Sequence, residues 1–254
     1  MPRRPLRLLH ASDLHLHWQQ REPSVAALRG LAAAARASGA ETVLMAGDIF
    51  DTADQPDDFI DTVAEELSAF AAPVVLIPGN HDIRYSEREP DALGGVGARI
   101  TGRHHLITAE DGELLTLLDS TLQVWGRGMP EHTPKNDPLA GVTFEGGETW
   151  RVVVAHGELT SGGLVRSSPI DLERHGPALD GVDYLALGHH DDSSLHARGR
   201  TVVCYSGSAS TVLADGRYAL VELSEPEGAR VTFHRWADSS QLHHEPGIAP
   251  RVRH

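Results

Sequence analysis

The chain has 254 residues, 40% of them apolar and 23% charged, with a net charge of −14. That length suffices for one large domain with a full core, and the single cysteine, Cys204, excludes an intrachain disulfide and fits a reducing, cytoplasmic setting. No apolar run approaches the roughly 18 residues of a membrane span, and the basic start meets Ser12-Asp13 before a signal-type apolar region forms.

In chain order, Leu6 to Ala11 reads as a short apolar strand that delivers Asp13 and His15. Ser24 to Ser38 sets Val25, Leu28, Leu31 and Ala35 at helical spacing, with Gly39 placed to end the helix. Thr42 to Ala46 is a compact strand ahead of Gly47-Asp48-Ile49-Phe50-Asp51. After Pro56-Asp57-Asp58, the residues Phe59, Ile60, Val63, Leu67 and Phe70 form a second amphipathic stripe. Pro73 to Ile77 is a third strand that runs into Pro78-Gly79-Asn80-His81-Asp82. This strand–helix alternation, with connections of crossover length, predicts a parallel sheet.

The middle is less regular. Weak strands are expected at 104–107, 114–118 and 121–125, followed by a long Gly-, Pro- and Asp-rich loop over 126–148 of the kind that covers sites. Trp150 to Ala155 is a strand ending on His156, and Tyr184 to Leu187 is another ending on Gly188-His189-His190-Asp191. Segments 201–205, 217–223 and 229–236 suggest a closing antiparallel portion. The expected domain is 1–237, with a polar tail over 238–254.

Five acidic or histidine clusters thus sit at strand ends, where loops from distant parts of an α/β chain converge. Carboxylate, imidazole and one amide are the donors a pair of hard or borderline divalent cations would take. The chemistry this states is metal-assisted attack on a phosphate ester. Singly, each cluster has an ordinary reading: Gly79-Asn80 as a turn, Asp51 as a helix cap, His156 as a lone strand-end histidine. The set is what points to a metal centre.

The order Asp-x-His, Gly-Asp-x-x-Asp, Gly-Asn-His-Asp, His, Gly-His resembles the calcineurin-like metallophosphoesterase superfamily over roughly residues 6 to 210. The strings Ala11-Ser12-Asp13-Leu14-His15-Leu16 and Tyr184-Leu185-Ala186-Leu187-Gly188-His189, with Tyr205-Ser206-Gly207-Ser208, are most similar to SbcD-type DNA-repair exonucleases. The resemblance implies an α/β fold with a two-sheet β-sandwich flanked by helices in four layers. It implies that Asp13 and His15 hold one metal, that Asn80, His156 and His189 hold the other, and that Asp48 bridges them. It also implies that His81 protonates the leaving oxygen without ligating, with Asp51 as its partner. By resemblance alone, an ATPase would be a protein partner.

One position departs from the pattern. Where the family has a second histidine two residues after the first, this chain has Asp191. On an extended segment residues two apart share a side, so Asp191 rather than His190 is expected to complete the first metal site; the alternatives are that His190 reaches in through a distorted loop or that the first metal is held weakly. A carboxylate there favours harder metals such as manganese or magnesium; two divalent ions are expected, manganese first, with iron, magnesium or zinc as the alternatives. The expected function is phosphodiester hydrolysis, with DNA as the leading substrate. Against DNA stand the negative charge and the length, since larger nucleases of that type carry additional C-terminal parts for DNA capping and for binding an ATPase, and little chain remains after about residue 236. The alternatives are a small-molecule phosphodiesterase or phosphomonoesterase, and a non-catalytic phosphate-binding relative.

Overall fold

The structure, a computed structural model, describes residues 3–84, 86, 89–160 and 167–238. Of the expected polar tail, 239–254 lies outside the described residues. Strand β1 (Leu6–Ala11) leads through α1 (Arg21–Ser38) to β2 (Thr42–Ala46), and α2 (Asp57–Ser68) leads to β3 (Val74–Ile77). There follow α3 (Ala92–Arg99), β4 (His105–Leu106), β5 (Glu113–Leu117) and β6 (Leu122–Gly126). Beyond an irregular connection come β7 (Trp150–His156), β8 (Glu158–Thr160), β9 (Pro169–Asp171), α4 (Gly176–Leu179) and β10 (Tyr184–Gly188). The described chain closes with β11 (Ser194–Arg198), β12 (Thr201–Tyr205), β13 (Arg217–Ser224) and β14 (Gly228–Arg235).

Local chemistry explains the helices. Helix α1 buries Ala27, Leu28, Leu31, Ala34 and Ala35 on one face, and Gly39 at φ 67° donates its N–H to the Ala35 and Arg36 carbonyls. Helix α2 starts after Pro56 with Asp57 and Asp58 in its first turn, where carboxylates favour the positive end of the helix.

Two six-stranded mixed sheets face each other, in the orders β14-β13-β1-β2-β3-β4 and β11-β12-β10-β7-β6-β5. Between them lies an apolar layer with Leu8, Leu44 and Val75 from the first sheet and Val152, Ala186 and Cys204 from the second. A second cluster joins Leu9, Val43 and Leu76 to α1, α2 and α3, and a third covers the outer face of the other sheet with Leu139, Ile170 and Leu179. The result is the expected four-layer α/β sandwich. Because both faces of β2, β3 and β10 are covered, these strands are continuous apolar runs without alternation.

The closing portion is split between the sheets. Segment 201–205 runs parallel to β10 and antiparallel to β11 in the second sheet, and β13 and β14 form an antiparallel pair beside β1 in the first. The strand expected over 104–107 shortens to His105–Leu106. No helix among the described residues is long and apolar enough to cross a membrane.

Candidate metal centre

Parallel strands β1, β2 and β3 of one sheet and β7 and β10 of the other end at a common rim. The loops there are tied together by backbone bonds: Asp13 N–H to the Gly47 carbonyl (3.0 Å), His15 N–H to Asp48 (3.1 Å) and Leu16 N–H to Ile49 (2.9 Å). The sheets meet where His156 Nδ1 contacts the Ala46 carbonyl at 2.9 Å. A side chain at Gly188 would collide with that same carbonyl, and one at Gly79 with the Asp48 carboxylate. These two motif glycines permit backbone approach that no other residue would.

The backbone itself is strained at the site. Asp13 (φ 51°), His15 (φ 47°) and Asp48 (φ 51°) are left-handed, and His189 lies at φ 112°. Such conformations cost on the order of 1–3 kcal/mol each and persist where the surroundings over-determine them. Here Asp82 contributes. Its buried carboxylate accepts from Ile49 N–H (3.0 Å), Phe50 N–H (2.8 Å) and Gly79 N–H (2.8 Å), joining the Asp48 loop to the Asn80 loop. Burial and the nearby Asp48 charge push the Asp82 carboxyl up to about 7, against those three donors. On the other flank, Ser208 Oγ donates to the Asp13 carbonyl at 2.7 Å, which gives the Tyr205-Ser206-Gly207-Ser208 string its place beside the site.

Three sets of donor atoms cluster within 4.8 Å: Asp13, His15 and Asp48; Asp48, His156 and His189; and His15, Asp51 and His81. Asp48 belongs to the first two. Asn80 joins them, its Oδ1 lying 3.0 Å from both His156 Nε2 and His189 Nδ1. The backbone of His189 also donates to both Asp13 carboxylate oxygens at 3.1 Å.

The donor chemistry fits cations. With Nδ1–H of His156 committed to the Ala46 carbonyl, its Nε2 lone pair faces Asn80 Oδ1 at 3.0 Å and Asp48 Oδ2 at 3.4 Å. A lone pair aimed at two oxygens is favourable only with a positive centre between them, a proton or a metal ion. Protein groups alone show the same demand. Burial lowers the His156 pKa, but Asp48 and Asp13 outweigh it and raise the value to about 9. Burial raises Asp13, with the Asp48 charge adding to it, whereas His156 outweighs burial at Asp48 and holds that carboxyl low. Burial and His156 lower His189 to about 4. Two buried carboxylates backed by three imidazoles are a site that divalent charge would complete.

His81 and Asp51 lie at the open side. His81 Nδ1 sits 2.8 Å from the Asp51 carbonyl, so Nδ1–H donates there and Nε2 remains for chemistry. The Asp51 carboxylate turns instead to His15 Nδ1 at 3.2 Å, and stands 4.0 Å from His81. Asp51 thus holds His81 through its backbone and His15 through its side chain.

Asp191 is not brought to this centre. Its side chain is exposed, outside every donor cluster among the described residues, and its carbonyl accepts Ser208 N–H at 3.0 Å. The sharing of one side by residues 189 and 191 required an extended segment, and φ 112° at His189 breaks it. His190 does not replace it, since its exposed ring packs edge-on against Tyr205 at 4.7 Å. Asp191→Ala should therefore leave metal stoichiometry unchanged by elemental analysis. Loss of one ion would return Asp191 to the ligand set.

Sequence reasoning missed His132. It sits in the irregular 127–149 connection, and its ring packs 5.9 Å from that of His189. No periodicity marks such a residue. His10, on β1, is buried with its Nδ1 2.8 Å from the Tyr184 hydroxyl.

Comparison with known proteins agrees with this architecture. The family model described as calcineurin-like phosphoesterase matches residues 6–192. A Thermus thermophilus protein superposes with TM-score 0.58 at 12% identity, covering 90% of this chain and 99% of the other. A dimetal phosphatase from Danio rerio superposes with TM-score 0.57 at 14% identity, covering 92% of this chain and 96% of the other. At such identities the likeness is one of fold. No curated protein matches the sequence.

Proposed function

We propose a substrate and a division of labour from one premise: this chain belongs to the calcineurin-like phosphoesterase family and is a metal-dependent phosphoesterase. The proposed reaction is phosphodiester hydrolysis at a dinuclear centre. Asp13 and His15 would hold one ion, Asn80, His156 and His189 would hold the other, and Asp48 would serve both. The observation that carries this is Asp48, whose carboxylate belongs to both donor clusters. When bound, two divalent cations supply Lewis-acid polarisation of phosphoryl oxygens and acidify water.

The protein's own groups do the rest. The Ala46 carbonyl and the Asp51 carboxylate orient the His156 and His15 rings. His81, fixed through Nδ1, presents Nε2 to donate a proton to the leaving oxygen. The preference for a diester over a monoester rests on the likeness of the strand-end strings to SbcD-type nucleases. Manganese is the proposed ion, on the strength of the Asp13 and Asp48 carboxylates without Asp191.

DNA is the proposed diester, on the likeness of the strand-end strings to SbcD-type nucleases. A second reading, a small-molecule diester, is favoured by the arginines. Arg3, Arg4, Arg21, Arg29, Arg99 and Arg217 all stand within 3.0 Å of carboxylates of the same chain, which limits their use on phosphates. A panel with the manganese-loaded protein decides: bis-aryl phosphate, aryl phosphate, cyclic nucleotides, and single- and double-stranded DNA. Diesters should turn over faster than the monoester. A higher kcat/KM on DNA supports the nuclease and a higher value on cyclic nucleotides the small-molecule enzyme. Two bound metals with no turnover of any diester would overturn both.

A further inference from the structure

The irregular 127–149 connection is pinned beside the metal centre. Thr133 offers its carbonyl to Ser168 N–H at 2.9 Å, and the buried Asn136 donates its amide to Ser168 Oγ at 2.9 Å. The Ser168 carbonyl in turn accepts Glu158 N–H at 3.1 Å, just beyond His156. Through these bonds the segment that carries His132 is tied to β8, which directly follows the proposed ligand His156.

The His132 imidazole is partly exposed and edge-on to His189 at 5.9 Å, with Nε2 hydrogen-bonded to Ser167 Oγ. The charges of His156, Asp48 and His81 all act on it, and the ring contact with His189 places it beside a proposed ligand. Yet among the described residues it joins no donor cluster. The direction of the Ser167–His132 bond follows the His132 tautomer: in the form protonated on Nδ1, the Ser167 hydroxyl donates to Nε2 and Nδ1–H is left to give one bond to an anion.

We propose that His132 is a substrate-contacting residue that donates a hydrogen bond to a phosphoryl oxygen, with Ser167 setting its tautomer. This rests on the reading of the centre as a phosphodiesterase and adds to it a contact from the loop side. The contact binds phosphate and leaves the metals untouched.

The test uses the manganese-loaded protein and inorganic phosphate as the probe, with binding followed by calorimetry and metal content measured in parallel. His132→Ala should weaken phosphate binding and raise the KM for bis-aryl phosphate by about tenfold, the worth of one hydrogen bond to a charged group. Two ions per chain should remain. His132→Gln, which keeps an N–H donor, should recover part of the loss, and Ser167→Ala should move phosphate affinity in the same direction by less. Unchanged phosphate affinity in His132→Ala would overturn the proposal, as would loss of an ion, which would make His132 a ligand. A wild type that binds phosphate but cleaves no diester would refute the phosphodiesterase reading while leaving this contact measurable. A wild type that binds no phosphate overturns the contact as well.

Discussion

Asp48→Asn is expected to release most of the bound metal and abolish nearly all hydrolysis, while the fold survives. The substitution is nearly isosteric, and the new side chain can still accept the His81 N–H, which Asp48 Oδ1 receives at 2.8 Å. Asparagine also tolerates the left-handed backbone at φ 51° better than most residues. What disappears is one charge, and that charge is shared by both donor clusters and offsets His156. Losing a ligand common to two ions should cost both. Elemental analysis and circular dichroism check this together. Two ions retained in an active variant would refute the bridging role, and an unfolded variant would refute the claim that the residue serves the site alone.

His81→Ala is expected to keep both metals and lose activity by about 10²–10⁴-fold, the usual contribution of a positioned general acid. The ring lies close to His15, 4.7 Å between centroids, and could be taken for a ligand on proximity alone. Its Nδ1 is already occupied by the Asp51 carbonyl, however, and the side chain is 42% exposed at the open side. A proton donor matters in proportion to the basicity of the leaving group, so the loss should shrink for esters with acidic leaving groups. Equal losses across leaving groups of widely different basicity would assign His81 to positioning or coordination.

Much of the fold was legible because the central strands are covered on both faces. Val74–Ile77 and Tyr184–Gly188 are fully buried and hence nearly uninterrupted apolar runs that cannot be mistaken for loops. Helix α3 was not foreseen. Its sequence, Ala-Leu-Gly-Gly-Val-Gly-Ala-Arg, is poor in helix formers, and the Asp91 cap and packing against α2 sustain it. Strand β11 was missed because it is a polar edge whose order comes from pairing with β12.

The site divides similarly. Asp13, His15, Asp48, Asn80, His156 and His189 could be picked out because strand ends put chemistry at fixed offsets from apolar runs. The three N–H bonds to Asp82 depend on two loops meeting, and the place of His132 depends on how an irregular segment folds back. Neither has a sequence period. Asp191 falls outside the donor clusters among the described residues because the alternation expected of an extended segment ends where the chain turns at His189.

Hydrolysis of a bis-aryl phosphate, followed while metal is removed by a chelator and then returned, tests the dinuclear centre most directly. Activity should vanish on chelation and return as two equivalents of manganese bind per chain. Undiminished hydrolysis by the metal-free protein would contradict the assignment.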